Sequence, residues 1–508
     1  MKKQPLEEPE EPRGMLLKRL AEPEALQLIP EAMARQYTAI PLVIIDNTLR
    51  VAMAHPEDIF ALEALANHCQ MRIETERASA EEVQEAIDFN YRAYDELEKQ
   101  ISTISFPNKT LDEQISLDAT SDAPVARALT LIIDEAVKAR ASDIHLEPDK
   151  DKLRVRYRID GTLQDTLSLP SVAASLLISR VKILANMNIA DHHRPQDGQF
   201  SIKAKGRSMD IRVGTAPTVH GEMASLRLLY KSRAALKLSE LGFLPESLGK
   251  YENMLKVSYG MILASGPTGA GKTTTLYASI NQLDHTGQNI ITIEDPVEYR
   301  FKDINQIQVN ARAGITFASG LRSILRLDPD VILVGEIRDA ETASIAIQSA
   351  LTGHLVLSSI HANDAVGVVF RLLDLGVEPY LVSSALIGVV AQRMVRKICP
   401  YCAHPIEVPL IERMAYSKET GEERDEFLGG SGCNACAHTG YLGRTGIFEI
   451  LCMSDEIRTR VLSGTTTNQL RTQAIKEGMI PLMKDGMFKV KANITTPYEV
   501  LRNTYSIE

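Results

Sequence analysis

No stretch of this chain is both long enough and apolar enough to span a bilayer. The longest candidate, near Tyr380–Ala391, is short and interrupted by Ser383 and Ser384. The N-terminus, Met1-Lys2-Lys3-Gln4-Pro5-Leu6-Glu7-Glu8, has no apolar region behind its lysines and does not read as a signal peptide. The default compartment is therefore the cytoplasm. Cysteine is scarce, and six in 508 residues argue against a disulfide framework. Positive charge is also in short supply: 56 basic residues face 66 acidic ones, the net charge is −10, and no run of five basic side chains occurs. A protein that grips nucleic acid without sequence preference usually carries a basic excess or stripe, so this balance weighs against such a partner.

What is present is ordinary globular composition, 44% hydrophobic and 24% charged, in a chain too long for one core. Residues 1–14 are rich in Glu and Pro and read as a disordered tail. Residues 15–100 read as a small α/β domain. Ile40–Ile45 and Leu49–Ala54 form a strand pair broken by Asp46-Asn47, followed by helical spacing over Asp58–His68 and Ala80–Tyr94. A polar linker, 101–122, leads to an α+β module over 123–230. Within it Leu153, Val155, Tyr157 and Ile159 alternate with Arg154, Arg156 and Arg158, which predicts a half-buried strand with one basic face. Asp160-Gly161, Asp197-Gly198 and Lys205-Gly206 are turn signals, and Met209, Ile211 and Val213 alternate again. A connector, 231–241, precedes a third unit over 242–508. Its runs Met261–Ala264, Ile290–Ile293 and Val331–Val334 are continuously apolar, as expected of parallel strands buried on both faces. Residues 397–440 interrupt it as an insertion, and Gly446–Glu508 reads as mainly helical.

The third unit carries Gly266-Pro267-Thr268-Gly269-Ala270-Gly271-Lys272-Thr273, with a strand before it and a helix beginning at Thr274. This is a phosphate-binding loop. Its glycines let backbone N–H groups turn toward the β- and γ-phosphates, the helix N-terminus adds partial positive charge, Lys272 opposes the phosphate oxygens and the Thr273 hydroxyl suits Mg²⁺. Glu336 follows the strand Val331–Val334, where such folds place an acid beside Mg²⁺. Asp328 and Asp330 shape the turn into that strand. Glu294, Asp295 and Glu298 crowd the end of another strand, the edge where ligands bind in such sheets. His354 and His361 bracket a fourth strand, and either alone reads more readily as structural than catalytic.

These segments resemble the secretion ATPases of type II secretion systems and type IV pili. The likeness covers the loop, Glu294–Glu298, Gly335-Glu336-Ile337-Arg338-Asp339 and Thr352–His361. Upstream it includes Ala141–Pro148, Arg156–Gly161 and Arg194-Pro195-Gln196-Asp197-Gly198, and downstream Gly443–Glu449. It implies an α/β P-loop NTPase with a RecA-like ATPase domain, a preceding PAS-like α+β module and an N-terminal docking domain. Carried over, Glu298 would polarise the attacking water and Glu336 would stand near Mg²⁺. His354 would lie near the nucleotide, with His361 the lesser candidate. Arg194, Arg212 and Arg227 would reach the phosphates when modules close; each could equally solvate a sheet face. The family works as a homo-hexameric ring that hydrolyses ATP beneath an inner-membrane platform protein, with the N-terminal domain docked on a membrane-anchored partner. A type II secretion motor is the reading, and a pilus extension motor the alternative. A nucleic-acid-translocating motor and a nonhydrolysing nucleotide-gated scaffold are the readings from other classes.

Cys399-Pro400-Tyr401-Cys402 and Cys433-Asn434-Ala435-Cys436 are two C-x2-C pairs across a 30-residue loop. Four thiolates in this spacing suit a tetrahedral structural Zn²⁺ site. Secretion and extension motors carry such an insertion. Cys69 and Cys452 are expected to be buried small hydrophobes. Some pilus motors bind cyclic di-GMP through repeated Arg-Leu-Gly motifs. Only Lys18-Arg19-Leu20-Ala21 approaches that pattern here, so this ligand is not expected.

Overall fold

The structure, a computed structural model, describes Leu17, Ala21 and residues 23–91, 124–204, 207–229 and 236–504. The tail 1–14, the linker 101–122, the turn Lys205-Gly206 and the first half of the connector lie outside the described residues, as do Lys18, Arg19 and Leu20.

The N-terminal domain is a three-stranded sheet in the order β1-β2-β3: β1 Ala39–Ile45, β2 Thr48–Met53 and β3 Arg72–Arg77. β1 and β2 are antiparallel, and Asp46 and Asn47 both have positive φ, 47° and 60°, the geometry of the two-residue hairpin turn that matches strand twist. β3 runs parallel to β2 after a crossover through the helix Ile59–Cys69, which Asp58 caps by accepting the Ala61 N–H at 3.1 Å. Ser79 starts the next helix, Ala80–Asn90, with a capping box to Glu82.

The second module is a six-stranded sheet in the order β6-β5-β4-β9-β8-β7. Its strands are β4 Asp143–Pro148, β5 Lys152–Ile159, β6 Thr162–Pro170, β7 Gln196–Ala204, β8 Arg207–Thr218 and β9 Gly221–Leu229. The helices Pro124–Lys138 and Val172–Leu184 cover one face, where Val155, Tyr157, Leu177, Ile211 and Leu226 form the core. Alternation along β5 sends Leu153, Val155, Tyr157 and Ile159 into this core and its arginines to the other face. Asp160-Gly161 is the β5–β6 turn. Asp197-Gly198 is not a turn: both residues lie within β7. Gly198 is there because the chain packs closely at that point, since a Cβ would sit 2.5 Å from the Ala185 carbonyl oxygen.

The third unit is a seven-stranded sheet in the order β12-β11-β13-β14-β10-β15-β18. Its strands are β10 Gly260–Ser265, β11 Ile290–Glu294, β12 Asn305–Gln308, β13 Val331–Val334, β14 Leu355–Ile360, β15 Leu386–Ile398 and β18 Tyr441–Cys452. β10 to β15 pair in parallel, and β10, β11, β13 and β14 are buried along their whole length. Helices cover both faces, the doubly wound arrangement that continuous apolar runs demand. The stretch near Tyr380–Ala391 is most of the short helix Pro379–Ala385 and the start of β15, a core strand. Among the described residues no helix is long and apolar enough to cross a membrane. The C-terminal region is less purely helical than its sequence suggests, because β18 opens it and pairs antiparallel with β15. Between them lie the helix Leu410–Thr420 and the hairpin pair β16 Ala403–Ile406 and β17 Phe427–Gly430.

The described half of the connector belongs to the third unit. Leu238 is buried in its core, and the Leu241 carbonyl accepts the Gly446 N–H at 3.0 Å. Cys452 is exposed and Cys69 half-buried, against expectation. Cys452 is the last residue of β18, where the continuous burial of Gly446–Leu451 ends. Gly198→Ala is expected to lower stability by about 1–3 kcal/mol, because the added methyl must displace backbone. Thermal unfolding of the full chain checks this, with an unchanged midpoint as the contrary result.

Candidate active site

Four strands that feed the site, β10, β11, β13 and β14, end at the same edge of the sheet because they are parallel. The edge opens into a cavity of about 950 Å³ between the third unit and the polar face of the second module. The phosphate-binding loop forms its floor. Gly266, Gly269 and Gly271 have φ of 146°, 80° and 90°, a conformation that side chains resist. At Gly266 a Cβ would also meet the Gln392 carbonyl oxygen at 2.4 Å. The helix Lys272–Gln282 starts at Gly271 with no side-chain cap, so its first N–H groups are left to a ligand. Lys272 Nζ donates to the carbonyls of Gly266 at 2.7 Å and Pro267 at 3.1 Å. Burial lowers its pKa, partly offset by Glu336. The loop from Pro267 onward, with Lys272, Thr273 and Thr274, lines the cavity, and this donor set fits a nucleotide triphosphate with Mg²⁺.

Gln392, on neighbouring β15, fastens the loop from below. Its amide donates to the Ala270 carbonyl at 2.7 Å and accepts from Thr275 Oγ1 at 2.8 Å. Sequence reasoning missed it, because an amide inside an apolar strand signals burial without naming its partner.

The acids take different positions. Glu336 leaves β13 into the cavity, with Arg338 Nη2 at 2.5 Å and His361 Nε2 at 3.9 Å. Burial and the nearby Lys272 hold the His361 pKa below its ordinary value, so the ring is neutral at neutral pH. Glu298 faces the cavity and meets Arg212 Nη1 at 3.1 Å. Glu294 is 3% exposed and committed to internal hydrogen bonds. Asp330 Oδ2 accepts the Asn289 N–H at 2.7 Å, and Asp328 has a φ of 51°, so both shape the loop entering β13.

The structure does not bring His354 to the cavity. It precedes β14 and bonds the Ser349 carbonyl through Nδ1 at 2.9 Å, whereas His361 follows β14. At about 3.3 Å per residue the two lie roughly 20 Å apart, on opposite edges of the sheet. The arginines also divide. Arg212, on β8, adds a hydrogen bond to the Val297 carbonyl at 3.0 Å, and Arg227, on β9, lines the cavity while bonding Asp143 at 2.9 Å. Arg194 is 83% exposed on its side chain, with Asp191 at 4.0 Å, and is not part of the lining. Arg158, Arg393, Arg396, Arg444 and Arg502 line it and were not singled out from sequence.

Just past the end of β15, three residues beyond the cavity-lining Arg396, the four cysteines converge. Sγ separations are 3.8 Å for Cys399–Cys433 and Cys433–Cys436 and 3.9 Å for Cys402–Cys436. A tetrahedral shell with metal–sulfur bonds of about 2.3 Å has edges of about 3.8 Å. Backbone N–H groups of Gly432, Cys433 and Gly440 point at Cys402 and Cys436 sulfurs within 3.3 Å, as donors to thiolate would.

Residues 118–502 match the family model described as type II/IV secretion system protein. The chain belongs to this family. Residues 16–96 match the MshEN domain. The chain is 39% identical to the type IV pilus assembly ATPase PilB of Myxococcus xanthus, over 95% of this chain and 87% of that protein. It is 38% identical to the type II secretion system protein E of Aeromonas hydrophila, over 95% of this chain and 97% of the relative. The corresponding protein of Xanthomonas campestris is 42% identical, over 92% and 83%. Among solved structures, the Legionella pneumophila ATPase DotB superposes with a TM-score of 0.54 at 19% identity, covering 73% of this chain and 93% of that one, and supports the fold. The protein is thus an ATP hydrolase of the secretion and pilus-assembly class.

Gln392→Leu keeps the side-chain volume but leaves the Ala270 carbonyl and Thr275 hydroxyl without partners. It is expected to weaken ATP binding about ten-fold, the size of one or two lost buried hydrogen bonds. Equilibrium titration with a fluorescent ATP analogue measures this, and unchanged affinity would show that the loop holds its shape unaided.

Proposed function

We propose that this ATPase is the motor of a type II secretion system, working as a homo-hexamer in the cytoplasm beneath an inner-membrane platform protein and driving assembly of a pilus-like fibre. The observation that carries the mechanism is the bond from Arg212 to Glu298, which joins the second module to the acidic loop of the ATPase domain. Support for the setting comes from the relatives' names and from a chain that spans nearly the whole of the Aeromonas protein. Pilus extension is the alternative: the pilus assembly ATPase relative aligns over 95% of this chain, the same share as the Aeromonas secretion protein. The N-terminal domain is assigned to docking on a membrane-anchored partner.

In this reading the triphosphate lies on the loop Gly266–Thr273, opposed by Lys272. Thr273 and Glu336 would hold Mg²⁺, which supplies charge neutralisation at the phosphates when bound. Glu298 accepts a proton from, and so polarises, the attacking water, while neutral His361 stands beside Glu336 as a hydrogen-bonding group. Arg212 and Arg227 arrive from the second module only when it closes on the ATPase domain. A phosphoryl-transfer transition state spreads negative charge over its oxygens, so cations that arrive on closure stabilise it more than the ground state. Closing and opening of the module then converts hydrolysis into displacement. The four cysteines would hold a structural Zn²⁺, which would pin the insertion rather than take part in hydrolysis.

Lys272→Ala should abolish hydrolysis, and near-normal turnover in the purified variant would remove the loop from the mechanism. In the native host, replacing the gene with this variant should stop export of folded proteins while leaving surface pili intact. Loss of pili with export intact would establish the pilus-extension reading instead.

Zinc is expected at about one ion per chain in protein purified without chelator, by elemental analysis. Cys433→Ser should lower that content and the unfolding midpoint, and metal-free wild-type protein would contradict the assignment.

A further inference from the structure

Tyr277 stands on the helix that the phosphate-binding loop begins, yet its phenol is turned toward the acidic loop. The hydroxyl donates its one proton to Glu294 and accepts the backbone N–H of Glu298 at 3.3 Å. The other Glu294 oxygen accepts from Thr292 Oγ1 at 2.6 Å and Gln306 Nε2 at 3.1 Å. With both oxygens engaged and the residue buried, this carboxylate is not disposed to activate a water. Gln306 also donates to the Tyr299 carbonyl at 3.0 Å and accepts the Phe301 N–H at 2.8 Å. The ring of Tyr277 meets those of Tyr299 and Phe301 edge-on, with centroids 6.0 Å and 4.8 Å away. The acidic loop is therefore held on both sides of Glu298, and the Glu298 side chain is left facing the cavity.

We propose that Tyr277 and Glu294 are positioning residues for hydrolysis: the Tyr277 hydroxyl, fixed by Glu294, holds the Glu298 backbone so that its carboxylate keeps its aim into the cavity. The device couples two parts of the site, because the same helix presents its N-terminus to the phosphates and its second turn to the acidic loop. Burial, reinforced by Glu294, pushes the Tyr277 pKa up, so the phenol keeps the proton it donates. This proposal rests on the reading of Glu298 as the group that polarises water.

The test is steady-state ATP hydrolysis and ATP-analogue binding by the full chain with Tyr277→Phe, Glu298→Gln and the double variant. Tyr277→Phe keeps the ring and its packing. It is expected to lower kcat about ten-fold while ATP affinity stays within about two-fold, the pattern of an interaction that matters in the transition state. Because Tyr277 acts through Glu298, adding Y277F to E298Q should cost nothing further. Multiplicative losses in the double variant would overturn the proposal, as would a wild-type kcat for Y277F. A wild-type kcat for E298Q would instead fail the Glu298 reading itself. Glu294→Gln provides a check that spares the tyrosine and should remain more active than E298Q. Equal inactivity of the two at equal thermal stability would make Glu294 the base and contradict the positioning role.

Discussion

The pairing of Arg212 with Glu298 is the contact on which the rest of the account depends. Each side chain comes from a different folded unit, and each is only partly exposed where they meet. An ion pair in such a partly desolvated cleft is stronger than one on an open surface, yet it remains breakable. It occupies the acid assigned to polarise water with the cation assigned to the phosphates. Under the proposed mechanism, triphosphate would compete for that cation, and one guanidinium would link nucleotide occupancy to module position. A second bridge, from the Gly443 N–H to Asp160 at 2.8 Å, ties the β5–β6 turn to the start of β18.

Much of this was legible in the sequence where the physics is local. The glycines of the phosphate-binding loop announce a conformation only they tolerate, and the runs Met261–Ala264 and Val331–Val334 announce burial on both faces. The alternation along β5 foretold an arginine face, although not that Arg158 would line the cavity. Failures came where the deciding partner is distant in sequence. Asp197-Gly198 carries a turn signal, but its glycine answers to Ala185 across the module. Cys452 was expected inside and lies exposed at the last pair of the β15–β18 ladder, a limit set by the distant strand.

The two histidines show a case where the sequence held the answer. Ligands bind at the carboxyl ends of parallel strands, so a residue after β14 can reach the loop and one before it cannot. Direction along the strand separates His361 from His354, and residue type does not. Gln392 and Arg393 were beyond such reasoning. Both sit on β15, whose place beside β10 depends on a parallel pairing more than a hundred residues apart. The insertion lies between in character: its cysteine spacing suggested a closed site, and the folded chain brings the four sulfurs to within 4.8 Å of one another.

The central claim is that the second module closes on the ATPase domain to complete the site. Spin labels attached at Lys203 on β7 and Lys476 on the C-terminal helix Thr467–Lys476 report that motion directly, through their distance distribution in the assembled protein. One narrow distribution is expected with a nonhydrolysable ATP analogue, and a longer or broader one with ADP or no nucleotide. An identical distribution in all three states would contradict closure.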